Sequence, residues 1–126
     1  MILDANGLHK VNFSIGNAET EYDYQFFDAL LASAFSMRRQ DGTIESRSDF
    51  LQRLKERKRQ GEPSSNRVTT MLSFSAVGAH RVLVRCIVGL DGKQYDNLRL
   101  FVRDSERSPW KLLAWANEPL EKTIDA

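Results

Sequence analysis

A single cysteine, Cys86, stands in 126 residues. No internal disulfide can form, and a lone thiol in mid-strand reads as a small buried hydrophobe. Histidine is nearly as scarce, with only His9 and His80. Neither lies at metal-ligand spacing from another His, Cys or carboxylate, so no metal site is expected. Nucleophile elbow, phosphate-binding glycine loop and His-Glu motif are all missing, and no cofactor is expected. No stretch approaches the roughly 20 apolar residues of a membrane helix. The start, Met1 to Asn6, has neither the basic segment nor the apolar run of a secretory leader, so a cytoplasmic chain is expected. Neither charge sign dominates: 18 Lys and Arg stand against 17 Asp and Glu, a net charge of +1. A dedicated nucleic-acid binder carries a strong basic excess, so neither nucleic acid nor membrane is an expected partner.

What is present is enough for one domain with a real core, since 41% of the residues are hydrophobic. The chain is organised around its last third. Arg81–Leu90, Asp96–Arg103 and Trp110–Glu118 are rich in Val, Leu, Ile, Phe and Trp with the period-two character of strands. Asp91-Gly92 between the first two is the strongest short-range hairpin signal in the sequence. Asp104–Pro109 makes the last hairpin loop, and Arg67–Val77 is a further long strand that turns at Gly78–His80. Residues 119–126 show no pattern and read as a tail.

Upstream, Leu8, Val11, Ile15, Ala18 and Tyr22 step by three and four, which predicts an amphipathic helix. Asp4 or Asn6 is its expected cap. Gly16 inside it weakens the helix by up to about 1 kcal/mol and marks a close approach by a neighbouring segment. Asp23 reads as a break and a new N-cap, with a short helix over 24–32. Phe35–Arg39 reads as a short strand turned by Asp41-Gly42, with 43–45 pairing back. Ser46 to Asp49 fits a capping box for a helix reaching about Lys58, whose basic end suits the helix dipole. Helices come first and strands last, which is the segregated α+β layout. A strongly curved sheet with the helices in its concavity would enclose a cone.

Alternation divides each strand into two rows. One set of rows is wholly apolar: Val82, Val84, Cys86 and Val88, then Leu98, Leu100 and Val102, then Leu112, Ala114 and Ala116. The other is mixed, with Leu83, Arg85 and Ile87, then Asn97, Arg99, Phe101 and Arg103, then Leu113, Trp115 and Asn117. Grouping the apolar rows on one face and the mixed rows on the other puts Arg85 and Arg99 side by side. Like charges there ask for an anion, either a ligand or a carboxylate such as Asp96 or Glu118.

The helical start, the Phe27–Ala32 and Phe35 segment, the Asp41-Gly42 turn, the Ser46–Leu51 helix start, and the closing Leu100–Asp104 and Trp110–Trp115 runs resemble the nuclear-transport-factor-2-like (NTF2-like) superfamily. The chain is most similar there to the small bacterial SnoaL-like or DUF4440 proteins, over roughly residues 5 to 118. The resemblance implies a cone-shaped fold of N-terminal helices on a strongly curved antiparallel sheet, a pocket in the cone, and homodimers formed through the sheet. It implies no single activity. Where ketosteroid isomerase of this superfamily has a catalytic Asp, at the end of the first strand, this chain has Arg39, which stays protonated and is no base. The association domain of the calmodulin-dependent kinase carries inward pocket arginines. Arg85 and Arg99 stand at positions similar to two of them, and Asn117 at that of a third.

These readings lead to a small-molecule-binding domain whose cone accepts a carboxylate-bearing or polar-headed apolar ligand. Arg85 and Arg99 would bind the acidic group, Asn117 would orient it, and Phe101, Trp115, Phe13, Phe27 and Met37 would line the apolar part. Arg99→Ala is then expected to remove ligand binding and spare the fold. Two alternatives stay open. One is a proton-transfer enzyme (isomerase, dehydratase or cyclase), for which His9 and Asp41 are the nameable catalytic groups. The other is a dimerisation scaffold with a filled cone.

Overall fold

Asp91 and Gly92 both take positive φ, 53° and 76°. Two such residues in succession make the hairpin turn whose twist matches the strands on either side. They join Arg81–Leu90 (β4) to Lys93–Val102 (β5), with Leu90 opposite Lys93. This hairpin sits next to the centre of the sheet in the computed structural model of the chain, which describes residues 5–63 and 65–120.

The other elements follow in the expected order. The helices are Ala5–Glu21 (α1), Tyr24–Leu30 (α2) and Arg47–Gln60 (α3). The remaining strands are Leu31–Arg38 (β1), Ile44–Ser46 (β2), Val68–Ala76 (β3) and Lys111–Pro119 (β6). The six strands form one sheet in the order β2-β1-β6-β5-β4-β3. All pairings are antiparallel except that of β1 with β6, which is parallel. Among the described residues no helix is long and apolar enough to cross a membrane.

Local chemistry explains the boundaries. Tyr22, at φ 53°, breaks the chain after α1. Asp23 then caps α2 by accepting from the Phe26 N–H at 3.2 Å. Ser46 caps α3 by accepting from the Asp49 N–H at 3.2 Å. Gly61, in the left-handed conformation, closes α3 two residues beyond the expected end. The second helix ends at Leu30, not Ala32, because Leu31 and Ala32 already belong to β1. Pro119 pairs with Tyr95, and the Leu120 N–H reaches Gln94 O at 2.9 Å, so both continue the sheet where a tail is expected. Asp4 and residues 121–126 lie outside the described residues, and Asn6 stands within α1.

One core joins helices and sheet. Phe27 of α2 and Phe50 of α3 meet edge to face at 5.0 Å, and both lie against Trp115 of β6, at 6.3 and 5.9 Å. Aromatic pairs of this kind add about 0.5–1.5 kcal/mol each beyond area burial. Leu8 and Ile15 of α1 are fully buried. Gly16 marks the close approach expected of it: a Cβ there would lie 3.4 Å from the Thr69 hydroxyl and 3.9 Å from Arg67 Cβ. Gly16→Val should therefore push α1 off β3 and cost about 1–3 kcal/mol, as overpacking does. Urea denaturation would measure it, and a wild-type midpoint would show that the neighbours give way freely.

The two sheet faces are composed differently from the sequence grouping. Across the β4–β5 hairpin Val84 faces Arg99, Val82 faces Phe101 and Cys86 faces Asn97. The apolar row of β4 and the mixed row of β5 thus share the concave face. The convex face takes Leu83, Arg85 and Ile87 from β4 with Leu98 and Leu100 from β5.

Candidate functional site

The concave face is built around Arg99, whose side chain is completely buried. One guanidinium nitrogen donates to Asn12 Oδ1 at 2.9 Å and the other to Asn97 Oδ1 at 3.1 Å. Trp115 Nε1 donates to the same Asn97 oxygen at 2.7 Å. The Trp115 ring lies 4.8 Å beneath the guanidinium, a cation–π contact. Asn97 passes its Nδ2 on to Asn117 Oδ1 at 3.3 Å. No carboxylate hydrogen-bonds Arg99 among the described residues, and its Nε has no acceptor. A full positive charge is therefore held in the core by neutral oxygens and one ring, and burial lowers its pKa.

From Asn97 and Asn117 the cone opens into a cavity of about 150 Å³. Arginine dominates its rim. Arg39 comes from the β1–β2 turn, Arg53 and Arg57 from one face of α3, and Arg67 from the entry to β3. The α3 pair are four residues apart, which brings both to one side of the helix. Met37, Tyr95, Val88 and Leu90 supply the less polar wall.

Two of these arginines are balanced. Arg53 binds Glu45 through two parallel hydrogen bonds of 2.9 Å. Arg67 lies 3.6 Å from Glu19, which reaches the cavity from the last turn of α1. Arg39 and Arg57 make no ion pair among the described residues. Among the described residues Glu19 is the one carboxylate on the cavity wall. Desolvation raises its pKa, against the attraction of Arg67, Arg99, Arg53 and Arg57.

The sequence matches no protein-family model, and no curated protein is significantly similar to it. Solved structures do match. An NTF2-like protein from Cytophaga hutchinsonii superposes with a TM-score of 0.79 at 12% identity, covering 94% of this chain and 100% of that one. A candidate dehydratase of the NTF2-like family from Streptomyces avermitilis gives 0.77 at 18% identity, with 94% and 97% covered. The fold is NTF2-like. A candidate calcium/calmodulin-dependent kinase II association domain from Exiguobacterium sibiricum gives 0.73 at 16% identity, with 98% and 99% covered.

Within this NTF2-like cone the site residues expected from sequence fall into three groups. Met37 and Asn117 line the cavity, and Asn97 between them and Arg99 joins it to the buried network. Phe27, Phe101 and Trp115 are packed into the core, at 0, 0 and 2% exposure, and Arg99 lies below the cavity. The rest are elsewhere. Arg85 is on the convex face, where its guanidinium pairs with Asp96 at 3.0 and 2.8 Å. Phe13 is 42% exposed on the outside of α1, with the His9 ring tilted against it at 4.9 Å. Asp41 is spent on its own turn, accepting from the Thr43 N–H and hydroxyl at 2.9 and 2.6 Å, and these bonds lower its pKa. Neither His9 nor Asp41 lines the cavity.

Four arginines and Glu19 went unassigned, and two signals in the sequence point to some of them. The comparison with ketosteroid isomerase sets Arg39 where that enzyme has its Asp, and Arg39 does line the cavity. Arg53 and Arg57 share a helix face by simple spacing. Nothing local in the sequence marks Glu19 or Arg67, which meet where α1 packs beside the entry to β3.

Proposed function

We propose that this NTF2-like protein binds a small oxyanion-bearing molecule, a carboxylate or a phosphate, in the cavity of its cone. One observation carries the reading: Arg39, Arg53, Arg57 and Arg67 converge on a single cavity, and two of them have no carboxylate partner among the described residues. A planar guanidinium with free donors matches an oxyanion with parallel hydrogen bonds. The apolar part of the ligand is small, because Phe27, Phe101 and Trp115 are consumed by the core and Met37, Val88, Leu90 and Tyr95 remain. The anion-binding group is thus the rim, in place of the Arg85–Arg99 pair. Sulfate and a panel of small carboxylic acids should raise the melting temperature in proportion to the logarithm of concentration. In Arg39→Ala/Arg57→Ala the shift should vanish. An undiminished shift in that variant would place the anion elsewhere and end this reading.

A second reading, acid–base catalysis on the bound acid, draws on Glu19, a carboxylate of raised pKa on the cavity wall. The likeness to the candidate dehydratase points the same way. Any acid that raises the melting temperature can be incubated with the protein in D2O. Deuterium entering the carbon next to its carboxylate supports catalysis, and full retention of protium leaves binding alone.

The partner we propose is a second copy, joined through the convex face. Leu83 and Leu98 are 37 and 41% exposed there, beside Leu100, Ala114 and Ala116. An antiparallel sheet facing water is polar on that side, and this one carries an apolar strip beside the Arg85–Asp96 pair. Leu98→Glu should convert a dimer to monomers in sedimentation velocity. A wild type that sediments as a monomer at high concentration would refute the pairing.

A further inference from the structure

The Glu19–Arg67 contact differs in kind from the other ion pair at the rim. Arg53 and Glu45 are locked by two hydrogen bonds of 2.9 Å. Glu19 Oε1 approaches Arg67 Nε only to 3.6 Å, beyond hydrogen-bond reach. No hydrogen bond to the Glu19 carboxylate is present among the described residues. Yet both side chains are only 16% exposed. The carboxylate thus faces the cavity with its oxygens unclaimed, beside an arginine whose forked donors it does not use.

We propose that Glu19 is the resident anion of the cavity, and that an incoming oxyanion takes its place on Arg67 while a proton from solvent moves onto Glu19. The inference rests on the anion-binding reading above and deepens it. The ligand supplies the oxygens that Glu19 does not align, and it makes the paired hydrogen bonds an arginine fork prefers. Its charge then stands beside a carboxylate whose side chain is only 16% exposed, where two like charges cannot both stay ionised at low cost. Protonation removes the conflict and turns Glu19 into a donor to the ligand.

The groups facing Glu19 come from every wall. Arg67 precedes β3, Arg53 and Arg57 project from α3, and Arg99 lies on β5. The Cys86 thiol of β4 lies close enough for Glu19 to raise its pKa, after the larger effect of burial. Arg39 and Tyr95 complete the cavity wall. The cations favour ionised Glu19, whereas desolvation and the incoming anion oppose it. The first two are fixed by the fold, so binding itself supplies the change that drives proton uptake.

Sulfate and acetate serve as probes, since neither titrates near neutral pH. Calorimetric titration of the wild-type protein in buffers of different ionisation enthalpy reads the protons taken up. About one proton per bound anion is expected at a pH where free Glu19 is ionised. Affinity should then fall tenfold for each unit rise in pH, the slope that one linked proton imposes. In Glu19→Gln the uptake should vanish, the affinity should become flat with pH, and at alkaline pH it should exceed that of the wild type. Binding by the wild type without proton uptake across the series would overturn the Glu19 inference and leave the rim arginines as the anion site. Uptake that persists in Glu19→Gln would overturn it too, by assigning the proton to another group. Failure of both probes to bind at any pH would instead remove the anion-binding reading on which it rests.

Discussion

Arg99→Ala should cost this protein about 2–5 kcal/mol of folding stability, the range for truncating a large side chain in a packed core. The side chain is fully buried and ties three elements together: Asn12 on α1, Asn97 on its own strand β5, and the Trp115 ring on β6. Truncation leaves a cavity that the aromatic core cannot close. It also leaves Asn12 Oδ1 buried without its donor, at a further cost of about 1–3 kcal/mol when nothing replaces it. Asn97 Oδ1 keeps Trp115 Nε1 and suffers less. Arg99→Met separates the two effects. It fills most of the volume and removes the charge together with its desolvation cost, so it should recover at least half of the loss. Urea denaturation of both variants checks this. A wild-type midpoint for Arg99→Ala would show that the network is not structural. The expectation from sequence, that this variant spares the fold and loses only a ligand, is corrected by where the residue sits.

Stability should also fall as pH rises just above 4.5, the ordinary value of a glutamic acid. Glu19 is raised above that value in the folded protein by desolvation. Below 4.5 both folded and unfolded chains hold the proton, and Glu19 contributes nothing. On moving upward the unfolded chain releases it first, so the folded state binds more protons and loses ground. The slope reaches at most about 1.4 kcal/mol per pH unit, less because the side chain keeps 16% exposure. It ends once folded Glu19 ionises. Glu19→Gln should lack this slope and should be the more stable protein above the window. The comparison must be wild type against variant, because Asp41 works in the opposite sense: its lowered pKa adds stability above 3.8 that is lost in acid. Parallel curves for the two proteins across the range would show that Glu19 carries no such penalty.

Much of the architecture was legible because its signals are local. Asp23 and Ser46 are caps, Asp91-Gly92 is a turn, and each long strand alternates in sequence as it does in space. The assignment of faces failed for a different reason. Grouping by polarity sets the apolar rows together on one face and the mixed rows together on the other. The hairpin itself decides otherwise. A two-residue turn at Asp91-Gly92 puts Leu90 opposite Lys93, and stepping back along both strands puts Val84 opposite Arg99 and Arg85 opposite Leu98. The turn signal therefore contained the correct answer. A bulge between Leu100 and Phe101 then brings Leu112 opposite Phe101, onto the concave face, and no residue type announces it. The pocket was harder still. Its arginines come from a turn, a helix and a strand entry, and only the complete fold brings them together.

The parallel seam between β1 and β6 bears on how the chain reaches this structure. Arg38 of β1 and Glu118 of β6 form an ion pair across 80 residues of sequence. β6 follows every other described strand in the chain, yet it lies between β1 and β5 in the sheet. During synthesis α1, α2, β1, β2 and α3 emerge first, and β1 waits with one edge bare while the β3–β4–β5 meander assembles from local hairpins. The two halves can be sealed only when residues 111–119 leave the ribosome. Closing so long a loop makes the joining step slow relative to hairpin formation. Until then the aromatic side chains of α2 and α3 lack Trp115, and an open strand edge is exposed to other nascent chains. A chaperone that shields β1 in this interval would raise the yield of folded protein more than one that acts on the finished sheet.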